Sequence, residues 1–362
     1  MDNQNIIFIF ALAIGLIASA LTYVSLPLVN KVASGLNLYD QPNARKIHTI
    51  PLVRLGGISI FLGSTIALVI ALLICNYYSI SLNNNELILI IFLSSLVNYL
   101  VGLADDLLIL SPFPRLICQV LISIFCWNFG IRIEVLDVSF LSQANSVLIL
   151  PQTLSILITI LWIAGVTNAM NWLDGIDCLA STVAFICFGY LAIVSLSLDQ
   201  KEYFILATTL AGSCIAFIPR NLQHPKILMG DGGSYLLGSN LAIISILGCS
   251  KLSAIGNIES IIWQIPLLIL AIPIIDMTIV IFGRLKNGRS PFFPDKTHLH
   301  HKLLKSNLSS NQVVIFLGSA CMLTGSISLM STNIENIYLL IILNLVILYG
   351  FIKLYFFDQK FK

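Results

Sequence analysis

Long apolar runs alternate with short polar breaks from one end of the chain to the other. Runs long enough to cross ~30 Å of hydrocarbon occur near 6–28, 55–75, 87–104, 113–130, 153–171, 177–197, 203–219, 233–250, 260–283, 313–331 and 337–357. Each predicts a membrane-spanning helix, about 11 in all. The break LDQKE between the sixth and seventh runs predicts a tight turn. The stretch IRIEVLDVSF (131–140) alternates apolar and polar residues, which predicts a small β-hairpin outside the bilayer.

The polar residues gather at run ends. NAMNWLDGIDCLA (168–180) sets Asn168, Asn171, Asp174 and Asp177 at intervals of three, at the end of an apolar helix. Such groups are costly at membrane depth unless they serve a partner. At this spacing they fan over one helix side and can converge on one ligand. ADDLLILSPFPRL (104–116), GDGGSYLLG (230–238) and PDKTHLHHKLL (294–304) follow the same habit.

Composition narrows the class. A chain 57% hydrophobic and 10% charged is a membrane protein, one polytopic bundle rather than several soluble domains. No basic run or aromatic–basic interleaving points to nucleic acid. Eight scattered cysteines have neither metal nor redox spacing and read as apolar packing residues. The first apolar run lacks a charged leader segment and reads as a retained helix.

Lys and Arg set the orientation. With the N-terminus outside and the C-terminus inside, 16 of the 19 basic residues fall in inner loops. The five histidines and Asp105, Asp106, Asp174, Asp177 and Asp231 then lie on the cytoplasmic face as well. The expected architecture is a single all-α transmembrane domain over 1–362, N-out and C-in, with a periplasmic hairpin near 131–140. Its cytoplasmic loops are about 31–54, 105–115, 168–177, 220–233 and 284–312.

Each cluster has its own chemistry. Arg45, Lys46 and His48 bring positive charge to the first inner loop, ahead of Gly56-Gly57 at a helix start. They suit a phosphate, or simply anchor the loop inside. Asp105 and Asp106 repel unless they share a cation or a proton, so one can orient a divalent ion while the other takes a proton, or the pair simply caps a solvated loop. Arg115 follows within the same cluster. The Asn168–Asp177 array offers oxygen ligands to a hard cation and hydrogen bonds to a nucleoside. Asp231 stands in a glycine bend before a helix, suited to Mg²⁺ with backbone amides facing phosphate, or an ordinary turn with a helix cap. His298, His300 and His301 fit phosphate contact, a zinc site or a solvated loop; the companion spacing of a structural zinc site is missing. Asp276, inside the ninth run after Pro273, reads as a capped kink with a local polar partner.

Together these stretches resemble the polyprenyl-phosphate N-acetylhexosamine-1-phosphate transferase family, of glycosyltransferase family 4 type. The motifs Arg-Lys-x-His…Gly-Gly, Asp-Asp, Asn-x-x-Asn-x-x-Asp-Gly-x-Asp, Gly-Asp-x-Gly-Ser and the His loop occur in the family's order over nearly the whole chain. Any one is weak; five in order on one membrane face are specific. The His loop resembles the undecaprenyl-phosphate GlcNAc-1-phosphate transferase branch; the phospho-MurNAc-pentapeptide transferase branch, which tends to carry three consecutive histidines, is the alternative within the family. The resemblance implies transfer of a sugar 1-phosphate, GlcNAc-1-phosphate in this branch, from a UDP-sugar to polyprenyl phosphate. UMP leaves, and a cell-envelope glycan is begun at a bacterial inner membrane.

The resemblance also implies residue roles. Asp105 and Asp106 handle the lipid phosphate, and His298, His300 and His301 lie near the donor's phosphates; these five are the expected catalytic set. Asp231, with Asn171, takes Mg²⁺, which Mn²⁺ could replace. Arg45, Lys46, His48, Arg115, Asn168, Asn171, Asp174 and Asp177 are expected at the substrates. The implied partners are the lipid and the UDP-sugar, with no nucleic acid and with room for a homodimer. Two departures stand out: Cys178 where Gly is usual, and Ile109 where some members carry a third polar residue. A transporter or flippase is the competing class, but its polar groups belong near mid-membrane. Here only Asp276 lies there.

Overall fold

The computed structural model describes residues 3–41, 51–78, 85–137, 147–222, 227–252, 259–293, 295–331 and 344. Twelve helices account for most of them: α1 (Asn3–Gly35), α2 (Gly57–Tyr77), α3 (Asn85–Leu108), α4 (Pro112–Asn128), α5 (Gln152–Leu173), α6 (Leu179–Ser197), α7 (Lys201–Leu222), α8 (Gly230–Leu247), α9 (Gln264–Ile269), α10 (Ala271–Lys286), α11 (Leu299–Lys305) and α12 (Ser310–Ser328). Among the described residues, α1, α2, α3, α5, α6, α7 and α12 are long and apolar enough to cross a membrane. Helices α4 and α8 and the pair α9–α10 fall on three further apolar runs. The eleventh run, 337–357, lies outside the described residues.

The run at 260–283 does not make one helix. It starts in a strand and then breaks at Leu270 between α9 and α10. Pro273 explains the break: it has no N–H for the carbonyl four residues back. That carbonyl, of Ile269, instead accepts the Cys187 thiol at 3.2 Å.

Helix α8 is the axis of the bundle, and all its residues are buried. Its neighbours approach so closely because they present glycines. A Cβ on Gly57 would lie 2.3 Å from the Gly233 nitrogen, and one on Gly102 would lie 2.3 Å from the Asp231 carbonyl oxygen. In a bilayer such small-residue seams bring backbones together where lipid offers no hydrophobic drive. The seams pull α2 and α3 onto the first turn of α8. Outside them, leucine and isoleucine side chains of α1, α2 and α3 face outward. A cavity of about 640 Å³ lies between α2 and α3. The stacked rings of Phe61 and Tyr99, 4.4 Å apart, lie at one end of those helices' shared face.

The stretch 131–140 is described as far as Asp137. It supplies one strand, β3 (Val135–Asp137), antiparallel to β4 (Val147–Ile149) and parallel to β6 (Glu259–Ile261), which also pairs with β5 (Ser250–Leu252). The partners lie beyond the alternating segment, so local pattern could not reveal them. Sequence connectivity puts this sheet at the opposite ends of α4 and α5 from Arg115 and Asn171. A two-residue ladder, β1 (Tyr39–Asp40) with β2 (Leu52–Val53), joins the ends of the stretch between α1 and α2. The turn between α6 and α7 is tight, with Asp199 at φ 58°.

Candidate active site

Four helix ends and one loop meet at one end of the bundle. Leu228, Met229 and Ile227 run beside residues 53–57, with Gly56 and Gly57 donating to the carbonyls of Leu228 and Met229 at 2.8 Å each. This brings Arg54 over the start of α8. Its Nη2 lies 2.5 Å from Asp231 Oδ1 and its Nε 3.3 Å from Asp106 Oδ1. From α4, Arg115 pairs with Asp105 and lies 3.6 Å from Asp231 Oδ2. Three carboxylates against two guanidiniums leave one negative charge to be met by a proton or a cation.

Asp106 caps α8. Its Oδ1 and Oδ2 accept the Asp231 and Gly232 amides at 2.8 and 2.9 Å. The amides that the glycine bend offers to a phosphate are therefore taken by a carboxylate, which completes the helix N-terminus. Gly230 permits this with a left-handed φ of 79°. Asp105 accepts the Leu110 amide at 2.7 Å, closing the turn after α3.

The Asn168–Asp177 array separates. Helix α5 ends at Leu173, so only Asn168 and Asn171 share its regular face. Asn171 donates to Asp231 Oδ1 and Ser234 Oγ, both at 2.9 Å. Asn168 donates to Gln119 Oε1 at 2.6 Å instead. Asp174 is the α5 C-cap. Burial pushes its carboxyl up to about 7, Arg54 opposes, and Asp231 and Asp177 add to the rise. For Arg54, burial works against the charge, but Asp231 and Asp106 outweigh it and hold the guanidinium above its ordinary range.

The histidines form a second wall. His298 is the N-cap of α11, with Nδ1 2.8 Å from Asp276 Oδ2. His300 is buried, with neither ring nitrogen partnered among the described residues, and burial, then His301 and His298, push its pKa down to about 3. Its ring lies against Gly175: a Cβ there would be 2.2 Å from Nε2. His301 packs on His300 with ring centroids 4.3 Å apart. Arg284 holds the loop before α11 through Asp295 at 3.1 Å twice and through the Pro291 carbonyl, and it stacks on Trp172. Against burial, which raises it, Arg284 and Thr297 bring the Asp295 carboxyl to about 2.

A cavity of about 240 Å³ joins the two walls, bounded by Arg115, Asn168, Asn171, Tyr235, Arg284 and His298 among others. Hard oxygen donors suit Mg²⁺, and Asp231 heads the set here. As arranged, Asp231 faces guanidinium groups and the Asn171 amide nitrogen. Among the described residues no group of three acids, His or Cys is drawn together to enclose an ion.

Comparison with known proteins places these features. The family model described as "Glycosyl transferase family 4" matches residues 88–249. A probable undecaprenyl-phosphate N-acetylglucosaminyl 1-phosphate transferase of Bacillus subtilis is 30% identical over 307 residues, 84% of this chain and 81% of that protein. The decaprenyl-phosphate N-acetylglucosaminephosphotransferase of Mycobacterium leprae is 30% identical over 84% of this chain and 79% of its own. The Yersinia pestis undecaprenyl-phosphate alpha-N-acetylglucosaminyl 1-phosphate transferase is 30% identical over 89% of this chain and 85% of its own.

The chain belongs to glycosyl transferase family 4. In this family 4 protein the structure brings together Asp105, Asp106, Arg115, Asn171, Asp174 and Asp231, and apart from them His298, His300 and His301. Asn168 lines the joining cavity, and Asp177 stands in the turn beyond α5. Arg45, Lys46 and His48 lie outside the described residues. Sequence reasoning missed Arg54, which bridges two acids, and Arg284, which holds the His loop. Arg54 carried a signal in its place two residues before Gly56-Gly57; Arg284 carried none beyond its charge. Cys178, where family resemblance favours Gly, sits at φ 63°, a left-handed backbone that disfavours side chains. Its thiol donates to the Ile218 carbonyl at 3.3 Å and its amide to Asn221 Oδ1 at 2.5 Å.

Proposed function

We propose that this protein transfers GlcNAc-1-phosphate from UDP-GlcNAc to a polyprenyl phosphate at the cytoplasmic face of a bacterial inner membrane, releasing UMP. The observation that carries the reading is the cluster of Asp105, Asp106 and Asp231 with Arg54 and Arg115, of which Arg115, beside Asn171, borders one cavity with His298. Two anionic phosphates must meet there, and cationic groups must offset their repulsion. Arg115 and Arg54 supply fixed positive charge. Asp105 takes the acceptor's remaining proton, a modest assistance because a phosphate monoester's second pKa is near ~6. Its neighbour Asp106 is committed to the α8 amides and acts by holding Asp231 in place. His298 and Arg284, across the cavity, face the donor's phosphates and keep them in line. Asp231, with Asn171 once its amide turns its oxygen inward, would hold Mg²⁺, which supplies charge neutralisation on the diphosphate.

The test is an assay of membranes containing the protein, with polyprenyl phosphate and a panel of labelled UDP-sugars. UDP-GlcNAc should give a lipid-linked product and one UMP per transfer, strictly dependent on added Mg²⁺. Asp231→Asn should abolish turnover with the protein still folded. Equal product from the variant, or none from the wild type with any UDP-sugar, would overturn the assignment.

A further inference from the structure

Asp276 is the one carboxylate far inside an apolar run, 1% exposed. An unpaired carboxylate there is costly, so its partners carry its meaning. Both of its oxygens are committed to one short segment 22 residues later. Oδ2 lies 2.8 Å from His298 Nδ1, and Oδ1 accepts the Leu299 amide at 2.6 Å. The second bond fixes the backbone beside the ring while the first fixes the ring itself. Trp172 closes on His298 edge-on at 5.8 Å, and His300 lies nearly parallel to it at 5.5 Å. The imidazole is thus held on three sides, and its residue borders the cavity shared with Arg115 and Asn171.

We propose that Asp276 is a positioning residue that sets the tautomer and direction of His298, keeping Nδ1 as the donor and leaving Nε2 to the cavity. Its effect on catalysis rests on the reading that His298 meets the donor's phosphates. A carboxylate accepts only, so it selects the Nδ1–H form; an amide in its place can donate and select the other. The same logic governs partners of metal- and substrate-bound histidines, whose loss costs on the order of 10–100-fold.

The experiment uses the full chain in detergent. Histidine acylation by diethyl pyrocarbonate needs a ring lone pair, and is followed residue by residue by mass spectrometry with His301 as internal reference. In the wild type, Nε2 of His298 carries the lone pair. Asp276→Asn keeps an oxygen for Leu299 but turns Nε2 into N–H, so acylation of His298 should slow about tenfold while that of His301 is unchanged. In the UDP-GlcNAc assay the same variant should lower kcat on the order of 10–100-fold, with KM little moved. In a His298→Ala background, Asp276→Asn should add less than about threefold. A structural role would instead subtract the same factor in both backgrounds. Unchanged His298 acylation, or equal losses in both backgrounds, overturns the proposal. A shifted acylation with a wild type inactive on every UDP-sugar leaves the positioning in place and sinks the proposed activity. Should Asp276→Asn not fold, Asp276→Glu keeps a carboxylate acceptor one methylene away, so His298 acylation should stay near the wild-type rate while kcat falls because the ring is displaced; slowed acylation in Asp276→Glu, or an unchanged kcat, overturns the proposal.

Discussion

Gly175→Ala isolates the packing between the two walls of the site. Gly175 has no left-handed φ, so the substitution is backbone-compatible. Taken alone it would stabilise by about 0.4–1 kcal/mol through the unfolded chain. The added Cβ, however, would lie 2.2 Å from His300 Nε2, 2.6 Å from Cε1 and 3.1 Å from Cδ2. Against an ordinary contact of ~3.5 Å the ring must give by roughly 1 Å. It has nowhere to go: His300 is 1% exposed and the His298 and His301 rings flank it. Overpacking of this kind costs about 1–3 kcal/mol, so the net effect is a loss of about 1–2 kcal/mol. If α11 moves to relieve it, the His298 ring moves too, and a displacement near ~1 Å lowers turnover by about 100-fold. The assays are thermal unfolding in detergent and labelled-lipid formation. Adding His300→Ala to Gly175→Ala removes all three clashing atoms and should restore the melting temperature, though not turnover. A Gly175→Ala protein as stable and as active as wild type would show that His300 does not pack on this turn.

Four further outcomes follow from the same geometry. Arg54→Gln leaves Asp106 and Asp231 without their shared guanidinium and should cost activity by at least ~10²-fold, a loss of charge-assisted contacts worth about 2.7 kcal/mol or more; a near-normal rate would make Arg54 an anchor only. Asp105→Asn should lower kcat by about 10²-fold with UDP-sugar KM nearly constant, and a silent variant would move the proton-accepting role elsewhere. His300, held neutral with its pKa near about 3, binds fewer protons folded than unfolded, so it lowers stability as pH falls below ~6.5, by about 2 kcal/mol at most by pH 5. Asp174, raised to about 7, acts in the opposite sense, so the decisive comparison is the pH slope of melting with and without His300→Gln; identical slopes would refute the buried neutral imidazole. Cys178→Gly removes a left-handed strain of about 1–2 kcal/mol against one thiol hydrogen bond; a melting temperature that falls would show that thiol packing outweighs the backbone.

Periodicity and residue type alone determine much of this protein. Apolar runs of membrane length have few alternatives to helix, because unpaired backbone cannot sit in hydrocarbon. Nine of the runs each coincide with one described helix, and the run at 260–283 with the pair α9–α10. The acids and histidines at run ends were also legible, since polar groups are tolerated there only with a purpose. Which of them touch was not. Asp231 meets Asp106 across 125 residues and Arg54 across 177, and no local pattern encodes a contact at that separation. It depends on Gly57 and Gly102 letting α2 and α3 reach α8. Asn168, Asn171 and Asp174 look equivalent at spacing three, yet the end of α5 at Leu173 sends them to Gln119, Asp231 and a cap. The alternation near 135 marked a strand, but its partners near 148 and 260 are three-residue strands too short to show a period, and only the fold brings them alongside. Asp276 reads from the sequence only as a capped kink with a local polar partner; that the partner is His298, 22 residues on, is decided by the packed bundle, because only the fold brings α10 and the start of α11 together.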